Sequence, residues 1–240
     1  MRRGGDNQVP TQESVRRLLL GGLILLVFIS LYGNSRWFGA HLYLKFADNR
    51  GQSSQTRGTA RQAADIAQGL QPFSAHAMQA KASKDLFEDK VPLALDEYQD
   101  ALRLAPADAF LWRDYALALI YADQFDARLT NAVTQAQSWA LKSKPIHLSL
   151  AIAGLRVYDR SNPALRKLWM HSVQIAYYYY RDSILSAAYI ADQDLLLCNG
   201  DVIANPATNV WCASARWRHG LCSDVGTGET GCFSQKGVPQ

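Results

Sequence analysis

The chain has 240 residues, with 25 Lys and Arg against 21 Asp and Glu, a net charge of +4 and 48% hydrophobic residues. That apolar content excludes a disordered chain. A mild charge without any long basic run excludes a nucleic-acid footprint, so no nucleic acid is expected as a partner.

In chain order, the first predicted element is apolar. Leu18 to Tyr32 reads LLLGGLILLVFISLY without a charge, and Arg16 and Arg17 stand directly before it. With Trp37 and Phe38 as interfacial residues, the segment reaches about 20 residues, enough to span a hydrocarbon core. The preceding residues carry four arginines (Arg2, Arg3, Arg16 and Arg17) against Asp6 and Glu13. The positive-inside rule therefore assigns 1–17 to the cytoplasm, 18–38 to a transmembrane anchor, and the rest of the chain to the far side of the bilayer. A cleaved signal peptide is the alternative, with Gly33-Asn34-Ser35 as a small-x-small site. The aromatic pair fits a retained anchor better than a mature terminus.

Residues 39–60 are polar and small, and read as a juxtamembrane linker. From 61 to 197 the pattern is helical almost throughout. Apolar stripes recur at helical spacing: Ala94, Tyr98, Ala101, Leu102 and Ala105; then Trp112, Tyr115, Ala116, Leu119 and Ile120; then Leu129, Ala132, Val133, Ala136 and Ala140. Leu148, Ala151, Ile152 and Leu155 follow, then Leu165, Leu168, Trp169, Val173, Ala176, Tyr177 and Tyr180, then Ile184, Ala187, Ala188 and Ala191. Pro106 and Pro145 punctuate the helices, Asn162-Pro163 supplies a cap followed by a first-turn proline, and Asp123-Gln124-Phe125-Asp126 offers a turn. Short breaks between helices predict antiparallel neighbours. No alternating strand pattern appears, so the expected fold is all-α.

Residues 198–240 change character, with Gly, Asn, Ser and Thr common. They read as an irregular tail held down by crosslinks. All four cysteines lie there: Cys198, Cys212, Cys222 and Cys232. An even count in an exported segment favours two disulfides, with three possible connectivities; sequence order favours Cys198–Cys212 and Cys222–Cys232. Intervening stretches of thirteen, nine and nine residues, with no C-x-x-C knuckle, argue against zinc.

The helices also carry a period. Ala94, Tyr98, Ala101 and Pro106, followed by Trp112 and Ala116, resemble a tetratricopeptide repeat, in which small residues admit close helix approach and aromatics fill the gap. A slipped second copy runs through Ala132, Ala136, Trp139, Pro145, Leu150 and Gly154. The alternative is a generic helical bundle with alanine-rich packing. In the repeat register, Phe110, Arg113, Leu117, Ile120 and Tyr121 share a groove face suited to a peptide or helix from a partner protein.

No catalytic, cofactor or metal residues are expected. The five histidines, His41, His76, His147, His171 and His219, have no mutual metal spacing, and each reads as a packing residue. Asp96, Glu97 and Asp100 read as a solvated helix face. Gly226, Gly228 and Gly231 match G-x-G-x-x-G but lack the strand before and the helix after that a dinucleotide site needs. Tyr177–Tyr180 reads as core packing for Tyr177 and Tyr180, or as an aromatic contact for a partner or sugar ring. Arg216-Trp217-Arg218 reads as a solvated crosslinked loop, or as a partner or headgroup contact.

The segments Ala94–Pro106 (ALDEYQDALRLAP), Trp112–Tyr121, Pro145–Leu155 and Leu195-Leu196-Leu197-Cys198 resemble the VpsP-like membrane-anchored proteins of bacterial exopolysaccharide clusters. The resemblance covers residues 15–198 and departs in the tail, with its three further cysteines. It implies a role in polysaccharide assembly and supplies no catalytic residue. With the anchor and the helical array, the expectation is a single-pass inner-membrane protein with a periplasmic helical domain that acts as a non-catalytic scaffold among membrane proteins of an envelope machine. The alternatives are a structural subunit of another membrane complex or a periplasmic enzyme with an unrecognised site.

Overall fold

The computed structural model describes residues 12–50, 57–71 and 73–222. Among these residues the chain is all-α, with no strand. Residues 1–11, Gly226–Gly231 and Cys232, on which the sequence also bears, lie outside the described residues. The chain divides into two units, Met1–Lys84 and Asp85–Gln240.

In the first unit, α1 (Gln12–Arg50) is one helix of 39 residues. Its segment Leu20–Tyr43 is long and apolar enough to cross a membrane, and only 6% of it is buried. Leu23, Leu25, Leu26, Phe28, Ile29 and Leu31 all face outward. The helix runs on where a linker was expected from residue 39. From the last turns of the apolar stretch onward it packs on α2 (Arg57–Leu70), and small residues allow the approach. Ala40, Ala63 and Ala67 are buried, and a Cβ on Gly39 would stand 3.3 Å from Leu70 Cδ1. Arg36 Nη2 donates to the Gly69 carbonyl at 3.2 Å. Packing of this kind, rather than propensity, keeps a polar helical stretch folded. α3 (Ala75–Phe87) begins in this unit and its last residues, from Asp85, belong to the second; Lys84 is paired to Asp65 at 2.7 Å.

The second unit contains α4 (Val91–Leu104), α5 (Ala109–Tyr121), α6 (Ala127–Trp139), α7 (Lys144–Arg156), α8 (Pro163–Tyr179) and α9 (Arg181–Ile190). Each starts and stops for local reasons. Asp108, Asp126 and Asn162 accept hydrogen bonds from the first free N–H groups of α5, α6 and α8. Pro92, Pro145 and Pro163 occupy first turns, where a missing N–H costs nothing. Asp89, Asp123 and Asp192 turn the chain in the left-handed region with φ of 62°, 61° and 57°, which short polar side chains tolerate. The expected stripes face inward: Ala94, Tyr98, Ala101, Tyr115, Leu119, Leu129, Val133, Ala151, Leu155, Leu165 and Ile184 are buried, while Trp112, Ile120, Leu148 and Ile152 are half-buried.

The tightest packing joins α7 to α8. Trp169 is fully buried, and its Nε1 donates to Ser161 Oγ at 2.9 Å. The indole lies so close to Gly154 that a Cβ there would stand 2.5 Å from Trp169 Cγ. α8 and α9 continue this core into the C-terminal segment, where Leu197, Ile203 and Cys212 are buried together with Leu155, Val173 and Ile184.

The segment after Leu197 is thus folded onto the helices and carries structure of its own: α10 (Asp194–Leu197) leads into it, and α11 (Val210–Arg218) lies within it, capped by Asn209. An irregular tail was expected up to the last residue. Cys212, Ala213 and Ala215 supply α11 with an inward stripe too short to stand out in sequence. Cys198 and Cys212 form a disulfide. Cys222 is also disulfide-bonded, while its expected partner Cys232 lies outside the described residues.

Candidate functional site

The expected groove residues all fall on α5. Spacings of three, four, three and one set Phe110, Arg113, Leu117, Ile120 and Tyr121 along one helix face, about 16 Å from end to end. The ends of the row are open, with Phe110 45% and Tyr121 60% exposed. The middle is shallower than a free groove: Arg113, Leu117 and Ile120 are half-buried. The Arg113 guanidinium lies 5.1 Å from the centre of the Phe110 ring and donates through Nε to Asp114 at 2.7 Å. Arg113 is therefore partly neutralised, and its role is to hold Phe110 rather than to present a bare cation. Tyr121 donates its hydroxyl to Asp89 at 3.4 Å, which fixes the other end of the row. The arrangement presents two exposed rings that can contact a short apolar or aromatic segment.

Of the positions that carry the repeat resemblance, Ala94, Tyr98 and Ala101 on α4 are buried, whereas Trp139 on α6 is 54% exposed. Trp112 is half-buried, with Nε1 donating to the Pro106 carbonyl at 2.8 Å, so the repeat tryptophan staples a loop more than it fills a core.

A polar cluster inside the helical layer is the feature that sequence reasoning missed. Gln137 Nε2 on α6 donates to the Leu168 carbonyl at 2.6 Å and to Ser172 Oγ at 2.8 Å. His147 Nδ1 on α7 lies 3.3 Å from the same hydroxyl on α8. All three side chains are buried, and His147 Nε2 has no hydrogen-bond partner. Burial and the neighbouring His171 push the His147 pKa down, against an opposing pull from the Ala140 backbone, so its neutral form is favoured. The serine and histidine are sealed from solvent, and the cluster ties α6, α7 and α8 to one another. Gln137 and Ser172 sit within apolar stripes, and that was the available signal.

A second cluster ties the C-terminal segment down. The buried Asp194 carboxylate is paired with the Arg218 guanidinium and lies 2.7 Å from His219 Nε2. Arg218 also lies over the Tyr189 ring at 4.1 Å, and Arg216 donates to the Pro206 carbonyl at 3.1 Å. The Arg216-Trp217-Arg218 loop reading is thus corrected. These residues form the last turn of α11; both arginines are internal staples, and Trp217 alone of the three is exposed. Asp192, Asp194 and His219 approach closely enough to share a cation. The guanidinium already neutralises Asp194, however, and a cation would have to displace it.

An open groove of about 690 Å³ lies between the first turns of α6 and α8, lined by Phe125, Thr130, Asn131, Thr134 and Asn162. Its carboxylate, Asp126, is held below the ordinary range mainly by the Arg128 side chain bonded to it.

The tyrosine run divides as its spacing predicts. Tyr177 and Tyr180 are half-buried, whereas Tyr178 and Tyr179 are exposed. Comparison with known proteins returns no matching family and no matching curated protein.

Proposed function

We propose that this protein is a membrane-tethered, non-catalytic interaction module: α1 holds it in a bilayer, and the helical array offers the α5 row to a protein partner. The observation that carries the reading is the outward-facing apolar surface of α1 over Leu20–Tyr43. A helix apolar on all sides is stable only in a bilayer or in a large core. The arginines flanking the span favour a cytoplasmic amino terminus, with the cysteine-bearing segment on the oxidising, periplasmic side of an inner membrane. The disulfide Cys198–Cys212 supports that side. The exposed rings of Phe110 and Tyr121, about 16 Å apart on one helix face, suit a helical or extended segment of a membrane protein partner.

The pathway in this reading is exopolysaccharide synthesis or export, supported by the resemblance of the ALDEYQDALRLAP unit and its neighbouring segments to the VpsP-like proteins. Tethering raises the effective concentration of the helical array near membrane-bound partners, so a modest contact area suffices.

The test is affinity purification of the full-length protein from native membranes, beside a variant in which Arg113 and Tyr121 are both replaced by alanine. A polysaccharide polymerase, export component or glycosyltransferase recovered with the parent and lost with the variant supports the reading. Recovery of an unrelated membrane complex overturns the pathway, and the absence of any specific partner overturns the scaffold role.

A further inference from the structure

One end of the second unit joins exposed aromatic residues to cations. α6 ends at Trp139, and the loop Ala140-Leu141-Lys142-Ser143 leads into Lys144 at the start of α7. The loop is tightly turned, with Ser143 N donating to the Ala140 carbonyl and Lys144 N donating to the Lys142 carbonyl at 3.1 Å. α7 and α8 are paired so that the first turn of α7 meets the last turn of α8: Lys144 Nζ lies 4.0 Å from the centre of the Tyr179 ring. Tyr178 and Tyr179 meet edge to face at 4.9 Å. Leu141 is 78% exposed and Tyr178 81%, and Trp139 and Tyr179 also face solvent. Within segments 139–144 and 177–182, Lys142, Lys144 and Arg181 are exposed, against one acid, Asp182.

We infer that this end docks on an anionic lipid surface. Tryptophan and tyrosine, with an apolar body and a polar tip, prefer the headgroup region, and a leucine on a loop tip can enter the acyl boundary. Lysine and arginine beside them attract anionic headgroups, and an excess of three cations over one acid gives the face the required sign. A protein groove explains the aromatics alone; a bilayer explains aromatics, leucine and cations together. A bilayer is also within reach, because the same chain carries α1. The inference rests on the tether reading in that respect alone. Docking would hold this end of the helical array against the membrane.

The test is hydrogen exchange by mass spectrometry on the full-length chain in nanodiscs of phosphatidylcholine alone or with phosphatidylglycerol. Segments 139–144 and 177–182 are expected to exchange several-fold more slowly with phosphatidylglycerol, and K142E/K144E removes the difference while its melting curve stays that of the parent. W139S/L141S, which keeps the charges, reduces the protection. Equal exchange in the two compositions overturns the proposal, as does protection that survives K142E/K144E. Protection in native membranes but in neither nanodisc marks a protein interface and also overturns it. Retention in nanodiscs of both compositions reads the tether separately. If the chain does not stay in them, phosphatidylglycerol-dependent sedimentation with vesicles, lost in K142E/K144E, tests this face by itself, and its absence overturns the proposal.

Discussion

Gly154→Ala tests the packing that organises the second unit. In an exposed helix interior this change stabilises by about 1 kcal/mol, because alanine is the better helix former. Here the added Cβ would stand 2.5 Å from Trp169 Cγ, 2.6 Å from Cδ2 and 2.7 Å from Cβ. The indole cannot swing away cheaply: it is fully buried and tied by Nε1 to Ser161 Oγ, which in turn donates to the Val157 carbonyl at 2.9 Å. Overpacking of a closed core costs about 3 kcal/mol at the upper end of its usual range. The net loss is about 2 kcal/mol, or a Tm lower by about 4–8 °C in a domain of this size. The assay is thermal unfolding of the full-length protein in detergent, followed by circular dichroism. A double variant completes it. Trp169→Leu alone opens a cavity and costs about 2–4 kcal/mol, and Gly154→Ala added to it costs less than in the parent, because the methyl group now has room. A Gly154→Ala protein that melts at or above the parent temperature would refute the close α7–α8 approach.

Three further expectations follow from named groups. His147 is held neutral by burial, so the unfolded chain takes up a proton at about pH 6.5 that the folded chain resists. Stability therefore falls as pH drops below about 6.5; His147→Gln flattens that fall, and parallel slopes in urea titrations at several pH values would refute the assignment. Removing the Cys198–Cys212 crosslink with paired serines costs about 3 kcal/mol for a loop of this length, read as a lower urea midpoint, and an unmoved midpoint would show that the core around Leu197 and Ile203 holds the segment alone. Ile29→Arg on the outward face of α1 adds about 3 kcal/mol to the cost of insertion, so a larger fraction should leave the membrane on alkaline extraction; an unchanged fraction would contradict a membrane role for that face.

Much of the fold was legible because burial writes itself as periodicity. Ala132, Val133 and Ala136, or Leu165, Trp169, Val173 and Ala176, announce their inward face, and Pro145 and Asn162-Pro163 announce the starts of their helices. Three features were not legible, each because a tertiary contact decides it. α1 continues to Arg50 because α2 lies against Gly39 and Ala40. α11 forms because Cys212, Ala213 and Ala215 meet a core assembled by helices far earlier in the chain. Trp139 reads as a core tryptophan by spacing, yet it sits in the last turn of α6, where no neighbouring helix covers more than half of it. At the candidate site the same division holds. The α5 row was legible because helical spacing puts its five residues on one face, but the Arg113–Asp114 pair was not, because local ion pairing depends on which rotamers the packed helix allows.

The most direct test of the central claim is site-specific photocrosslinking in native membranes, with a photoreactive phenylalanine at position 110, at 121, or at exposed Lys167 as a control. The account predicts one discrete adduct with a membrane component of an envelope assembly from positions 110 and 121, and none from 167. Adducts that are absent at all three positions, or equally diffuse from all three, would contradict an interaction module that works through α5.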